Sequence, residues 1–475
     1  MTDRPKLRLE EVAFLERDVT LRMPFRFGVV TLTEAPQCFV RARIRLSDGR
    51  VGWGAAAEML APKWFDKSPE LSNEDNFDQL RRALAIAAKV YQSDETQRTA
   101  FGLHVAGAKA FREAADAAGL PPLVSGFGTA LLDRAILDAL LRLEGVSVFQ
   151  AAKQNLFDLS AAVTDDLDGF NFDRFLAGLS PAKRIHARHT VGLIDPITGG
   201  DLSPENRVGD GLPETLDDVI ETYGVTHFKL KVGGNMDADL ARLTQIAQVV
   251  DRLPHYRATL DGNEQYADVH GIAVLWRAMA AEPKLARLRD AVLFIEQPIS
   301  RAKAFSEDVS PLAQMKPVEI DESDATLDSF LEAKALGYTG VSSKSCKGFY
   351  KSLLNRARCA KWNAEAGAQR YFMSAEDLTT QAGLAVQQDL ALATLIGCDH
   401  VERNGHHYVN GMAAAPAVEQ GAFLAAHPDL YREHLGAVRL NIKDGAIAIG
   451  SLDTAGLASA AMPDFGSLRH CAYEA

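Results

Sequence analysis

From Arg184 onward the chain alternates short apolar runs with stretches of helical spacing, and this alternation restricts the fold more than any other feature. The runs are RIHARHTVGL, VTHFKLKV, YRATLD, AVLFIEQ, KPVEID, YTGVSSK, QRYFMS and CDHVER, separated by segments such as DADLARLTQIAQVVDRL and TLDSFLEAKALG. Strand and helix taking turns this regularly predict a parallel sheet, and about eight such units favour a closed barrel over an open doubly wound sheet. GFGTAL at Gly126 does not supply the GxGxxG of a dinucleotide-binding sheet. Upstream, CFVRARIRL alternates apolar and basic residues and SDGRVGWG reads as a turn into a second strand, so antiparallel sheet is expected there. Helical spacing runs from Asn76 to Ala118 and stops at Gly119 before Pro121 and Pro122, and FGTALLDRAILDALLRLEG predicts an amphipathic helix. After Gly411 the text turns strand-like again, as in AVRLNIKDGAIAIG.

The chain has 475 residues, with 51 basic against 63 acidic side chains and a net charge of -12. Without a basic block to neutralise phosphates, nucleic acid is not an expected partner. Its five cysteines, Cys38, Cys346, Cys359, Cys398 and Cys471, are scattered singly with no CxxC pair, which suits free thiols in a reducing compartment. MTDRPKLRLEEV is charged where a signal peptide is apolar, and Gln387, Gln388 and Asp389 break the tract LAVQQDLALATLIGC. A cytoplasmic protein that does not enter membranes is the expectation.

In a parallel barrel all strand C-termini open on one face, so residues there meet however distant they are in sequence. The second run ends in Lys229 and Lys231, the third in Asp261, the fourth in Glu296, the fifth in Asp321 and the sixth in Lys344. Three carboxylates at one mouth repel one another and need a positive partner, and an all-oxygen set suits Mg2+. Lys229 and Lys231, two apart on a strand, share a face; each is expected to make the other easier to deprotonate. Lys344 ends a strand nearly across the barrel, so a carbon acid between the lysines has an amine or ammonium on each side. Taken singly, each piece has a plainer reading: a lysine pair as a solvated face, and Asp321 as a helix cap. The order Lys, Asp, Glu, Asp, Lys on consecutive strands is what favours chemistry.

That order, with LDGN, IEQP and IDES at the strand ends, resembles the enolase superfamily and within it the muconate lactonizing enzyme subgroup. FRFG and GWG look like its mobile capping loops, and LLDRAILDALLRLEG like the helix that enters the barrel. The resemblance implies an α/β fold, a modified TIM (β/α)7β barrel with an α+β capping domain. Residues 1–124 would form the cap, 125–410 the barrel, and 411–475 a segment completing both. It implies Asp261, Glu296 and Asp321 as Mg2+ ligands, with Asn263 and Gln297 behind them. Lys231 and Lys344 would be the opposed acid/bases and Lys229 would tune Lys231, with Lys347 a weaker candidate than Lys344. Glu376 matches a position where the family often has an acid. FMSAED offers no His at the end of the seventh strand, which disfavours the His-dependent mandelate racemase subgroup. In the cap, Arg26 and Phe27 are expected over the substrate, with anchoring of an edge strand as the alternative for the flanking phenylalanines; Trp53 and Glu58 belong to the second loop. RNGHHY offers His406 and His407 as substrate contacts, with plain solvation as the alternative. The chain is longer than typical relatives, between Ser68 and Pro122 and between Asn155 and Arg184, and VSSKSCKG places Cys346 near the site, where a buried structural thiol is the default.

The reaction implied is removal of a proton α to a carboxylate of a small molecule through an enediolate, ending in racemisation or epimerisation. A β-elimination lyase or a cycloisomerase would use the same residues. Readings of a different class are a Schiff-base aldolase on Lys344 and a non-catalytic binding protein. Barrels of this family commonly associate, so a homo-oligomer is compatible with the resemblance.

Overall fold

The computed structural model describes residues 4–27 and 30–475, the side chains of residues 27 and 30 excepted. At its N-terminal end β1 (Leu7–Phe27), β2 (Val30–Leu46) and β3 (Val51–Met59) form an antiparallel meander. The alternation in CFVRARIRL decides its faces: Cys38, Val40, Ala42, Ile44 and Leu46 are buried, while Arg41, Arg43 and Arg45 stand on the other side. Arg41 lies 4.6 Å from the Trp53 ring and 4.2 Å from that of Phe465. Trp53 therefore belongs to the arginine face of the cap sheet.

Three helices cover the meander. α1 (Asn73–Gln92) starts at a capping box made by Ser72 and Asp75, α2 (Ala100–Ala117) starts at Thr99, and α3 (Pro122–Glu144) ends on left-handed Gly145. The expectation of an amphipathic α3 is corrected here, because nearly its whole circumference is buried: Asp133, Arg134 and Asp138 sit inside with the apolar residues. Each has partners. Asp133 accepts from Tyr91 Oη (2.9 Å), Arg134 donates to Glu58 Oε2 (3.1 Å) and Gln388 Oε1 (3.2 Å), and Asp138 accepts from the Ala55 and Leu457 amides. Glu58 is thus a structural partner of α3.

The barrel strands are β4 (Arg184–Val191), β5 (His227–Lys231), β6 (Arg257–Asp261), β7 (Val292–Glu296), β8 (Val318–Ile320), β9 (Gly340–Ser343), β10 (Phe372–Ala375) and β11 (His400–Arg403). All pair in parallel in the order β11-β4-β5-β6-β7-β8-β9-β10, and β10 touches β11 to close the ring. Register sets Lys231 opposite Asp261, Asp261 opposite Glu296, and Glu296 opposite Glu319, a charged row across four strands. Downstream, Ala446–Ala448 pairs antiparallel with β4 and Arg469–Cys471 with β1. Among the described residues no helix is long and apolar enough to cross a membrane, and all five cysteines are unbonded.

GWG lies on β3 against α3, and is not a mobile loop. A Cβ on Gly54 would stand 2.1 Å from Ala139 N and 2.4 Å from Ala135 O, both backbone atoms. Gly54→Ala is therefore expected to lower stability by about 1–3 kcal/mol, the usual cost of overpacking, measured by urea unfolding of the two proteins.

Candidate active site

The strand ends converge as the alternation requires. Lys229, Lys231, Asp321, Lys344 and Asn263 line one small cavity at the barrel mouth, together with Asp377, Leu378, Thr379, Glu402 and Asn404. The cap closes it with Phe25, Leu32, Ala61 and Trp64. Its free volume is about 40 Å³, space for on the order of three waters.

Lys229 is the hub of the charges. Its ammonium donates to Glu296 Oε1 (2.8 Å), Glu376 Oε2 (2.7 Å) and Glu402 Oε2 (3.1 Å), and lies 3.1 Å from Asp261 Oδ2. Burial alone would make the ammonium easier to deprotonate, but these carboxylates outweigh it and hold Lys229 well above the ordinary lysine range. For Lys229 this runs against the expectation that the paired lysines ease each other's deprotonation. Lys231 sits at 2.5 Å from Asp261 Oδ2, and Lys344 donates to both oxygens of Asp321 at 2.8 Å. Burial opposes Lys344's charge and Asp321 restores it, leaving its proton held more tightly than in a free lysine. Conversely Asp321, although buried, is kept well below the usual carboxylate range by Lys344, Lys347 and Lys229. Lys347 stands 3.2 Å from Asp321 Oδ1 and donates to Ser342 Oγ (2.8 Å), beneath the cavity wall.

The loops after the acidic strands are held in unusual backbone. Asn263 (φ 45°), Glu264 (φ 70°) and Gln297 (φ 33°) are left-handed without being glycine, each costing about 1–3 kcal/mol of the kind stored at functional sites. Asn263 N–H donates to Asp261 Oδ1 (2.7 Å) and its side chain to Glu322 Oε1 (2.6 Å). The side-chain oxygen of Gln297 accepts from the amides of Asp321 and Ser323. Asn263 thus holds the Asp261 carboxylate, and Gln297 the backbone of Asp321.

Asp261, Glu296 and Asp321 offer an oxygen-only donor set, and Glu296 Oε2 and Asn263 Oδ1 are buried without a hydrogen-bond partner. Those residues fit a hard divalent cation. Among the described residues, the acids that each bring one oxygen within 4.8 Å of the others are, however, Glu296, Glu319 and Glu376. Asp261 and Asp321 are ion-paired with Lys231 and Lys344 instead. Within that trio Lys229 donates to Glu296 and Glu376, Arg188 grips Glu376 as well as His400, and Glu319 accepts from Ser374 Oγ (2.8 Å), while burial pushes the Glu296 and Glu319 carboxyls well above the usual carboxylate range.

Four sequence expectations are corrected by position. Glu376 points inward and is fully buried between Arg188, Lys229 and Ser374, so it supports Lys229 and does not line the cavity. Arg26 is exposed, because strand alternation turns its neighbour Phe25 into the cavity; the side chain of Phe27 lies outside the described residues. His406 is away from the cavity, 5.4 Å from His189 and 5.3 Å from Tyr223 between ring centroids, and His407 is buried 5.0 Å from His189. Neither is a solvated loop histidine. Cys346 is buried, and its thiol is pushed up by that burial. Residues that the sequence reading did not single out are Arg188, Glu402, Asp377, Asn404 and Trp64. Glu402 and Asn404 were within reach, since they end the eighth strand; the others carry no local signal.

A barrel of eight parallel strands whose C-terminal mouth gathers lysines and acids under a sheet-and-helix cap defines a class, the capped TIM barrels. Within it, the model of the family described as enolase C-terminal domain-like matches residues 212–457, and the chain belongs to that family. No curated protein matches it significantly. Among solved structures it is similar to a dipeptide epimerase from Enterococcus faecalis V583 complexed with Mg and L-Leu-L-Tyr (16% identity, 95% of this chain and 99% of that chain, TM-score 0.58). It is also similar to the L-Ala-D/L-Glu epimerase from Bacillus subtilis (16%, 95% and 98%, 0.55) and to an enolase from Bradyrhizobium complexed with magnesium and mandelic acid (15%, 99% and 100%, 0.58). At these identities the likeness is one of fold.

The buried histidines make stability depend on pH. Burial first, then nearby Arg403 and Arg22, lowers His406 to about 3, and burial likewise holds His189 and His407 well below the ordinary value of 6.5. Below pH 6.5 the unfolded chain takes up protons that the folded one refuses, so this contribution is complete above 6.5 and is lost as pH falls. Unfolding free energy is expected to drop between pH 6.5 and 4.5 by about 1.4 kcal/mol per pH unit for each such histidine. Urea titrations of His406→Gln should have a slope shallower by one histidine.

Proposed function

We propose that this chain is an enzyme that removes a proton α to the carboxylate of a small molecule and returns one, a racemase or epimerase. The observation that carries this reading is that Lys231 and Lys344 line the same cavity from the second and sixth of eight barrel strands, which face each other across a ring. Two opposed amines are needed when a proton leaves one face of a carbon and arrives on the other. The family implies Mg2+, for which we assign Asp261, Glu296 and Asp321 as ligands; there it supplies a Lewis acid for a substrate carboxylate.

The residues of the chain do the rest. Lys231 and Lys344 each pair with an assigned ligand, so a cation held by those oxygens would leave both amines to face the cavity, one to accept the proton. The other stays an ammonium and donates. Lys229, locked among carboxylates, remains a fixed positive charge close to where the enediolate forms. Phe25, Leu32, Trp64 and Leu378 keep water from the carbon acid. An elimination or cycloisomerisation would use the same groups but needs only one of the two lysines. A Schiff-base aldolase would use Lys344 alone and leave Lys231, which lines the same cavity, without a role. Because two fold relatives are dipeptide epimerases, dipeptides and N-acyl amino acids are the first compounds to try.

Incubation of such a panel with Mg2+ in D2O is expected to exchange an α-hydrogen, detected by NMR, and EDTA to abolish the exchange. Lys231→Met and Lys344→Met should each slow turnover by about 10²–10⁴-fold, the usual worth of a general acid or base. Exchange unaffected by both substitutions would end the proposal.

A further inference from the structure

Three barrel loops, each following one of the assigned metal ligands, take hold of the same short piece of the cap, and nothing in the proton-transfer scheme uses them. Arg301, five residues after Glu296, grips Glu264 with two nitrogens (Nε to Oε1 3.0 Å, Nη2 to Oε2 2.9 Å) and reaches upward with its remaining hydrogens to the carbonyls of Phe65 (2.8 Å) and Trp64 (2.9 Å). Glu264, three residues after Asp261, is turned toward Arg301 by its left-handed backbone (φ 70°) and accepts its amide as well (2.6 Å). Lys67 of the cap lies 2.5 Å from Glu264 Oε2 and 3.3 Å from Glu322 Oε1, the residue next to Asp321. Glu322 in turn holds the Asn263 side chain, whose own amide fixes Asp261 Oδ1. At the far end, the Trp64 ring lies 5.0 Å from Lys344 Nζ, a cation–π distance, and roofs the cavity.

We propose that Arg301, Glu264 and Lys67 are positioning residues that couple the metal site to the roof, so that metal affinity and the placement of Trp64 over Lys344 are one equilibrium. The charges support a latch and not a further ion site: two cations meet two carboxylates, and the arginine fork is bidentate, a geometry lysine cannot copy. Removing a group that orients a metal ligand from behind typically weakens metal binding. Coupling of this kind is reciprocal, so whatever the roof does for the metal, the metal does for the roof. The proposal rests on the assignment of the metal ligands made above.

The test uses the full chain and Mg2+ alone. Calorimetric titration gives the affinity, and acrylamide quenching of the fluorescence lost in Trp64→Phe reports the roof. In the wild type, Mg2+ is expected to protect Trp64 from quenching. In Arg301→Lys and Glu264→Gln, Mg2+ should bind about 10-fold to 100-fold more weakly, Trp64 should be more accessible, and the added metal should no longer protect it. Two variants are used so that misfolding of one, seen by circular dichroism, leaves the other to decide. Wild-type Mg2+ affinity in a folded variant, or Trp64 quenching indifferent to Mg2+ in the wild type, would overturn the coupling alone. Failure of the wild type to bind Mg2+ at all would overturn the ligand assignment together with it.

Discussion

One ammonium organises the inside of this barrel. Lys229 stands within 3.1 Å of carboxylates from β6, β7 and β11 and of Glu376 after β10, in a space that most barrels of this kind fill with branched apolar side chains. Separating such charges from water is costly, and removal of any one partner leaves the others unmatched. The arrangement therefore persists only as a whole. Arg188 extends it downward through Glu376 toward His400, and Lys231 and Lys344 extend it upward to the cavity.

That dependence explains the division of labour among residues that look alike in sequence. Lys229 and Lys231 differ by two positions and both border the cavity, yet one is walled in by four acids and the other meets one. Glu376 and Glu402, at neighbouring strand ends, both serve Lys229, but only Glu402 reaches the cavity wall. Above this level the cap segment carrying Trp64 meets the barrel through the polar contacts of Arg301 and Lys67.

Much of this was legible in the chain itself. Eight apolar runs alternating with helical spacing sufficed for the barrel, and the barrel-face rule brought Lys231, Asp261, Glu296, Asp321 and Lys344 to one end without any knowledge of loops. Parity along a strand is where reading failed at Arg26: one residue's shift exchanges cavity for solvent, and Phe25 is the one that faces in. Glu376 was found by position, but its orientation depends on Arg188, which lies 188 residues away in sequence. α3 was misread as amphipathic because the spacing of apolar residues does not reveal that a second layer covers the polar side; Arg134 and Asp138 are paired inside. Trp64, Lys67 and Arg301 carry no signal until the cap is docked.

The central claim is that Asp261, Glu296 and Asp321 share one divalent ion once Lys231 and Lys344 turn away, and that the ion does not sit among Glu296, Glu319 and Glu376. Crystals soaked in Mn2+ and measured at its absorption edge test this most directly. The account predicts one anomalous peak bounded by Asp261, Glu296 and Asp321, with Lys231 and Lys344 turned toward the cavity. A peak among Glu296, Glu319 and Glu376, or none with the lysines still on their carboxylates, would contradict it.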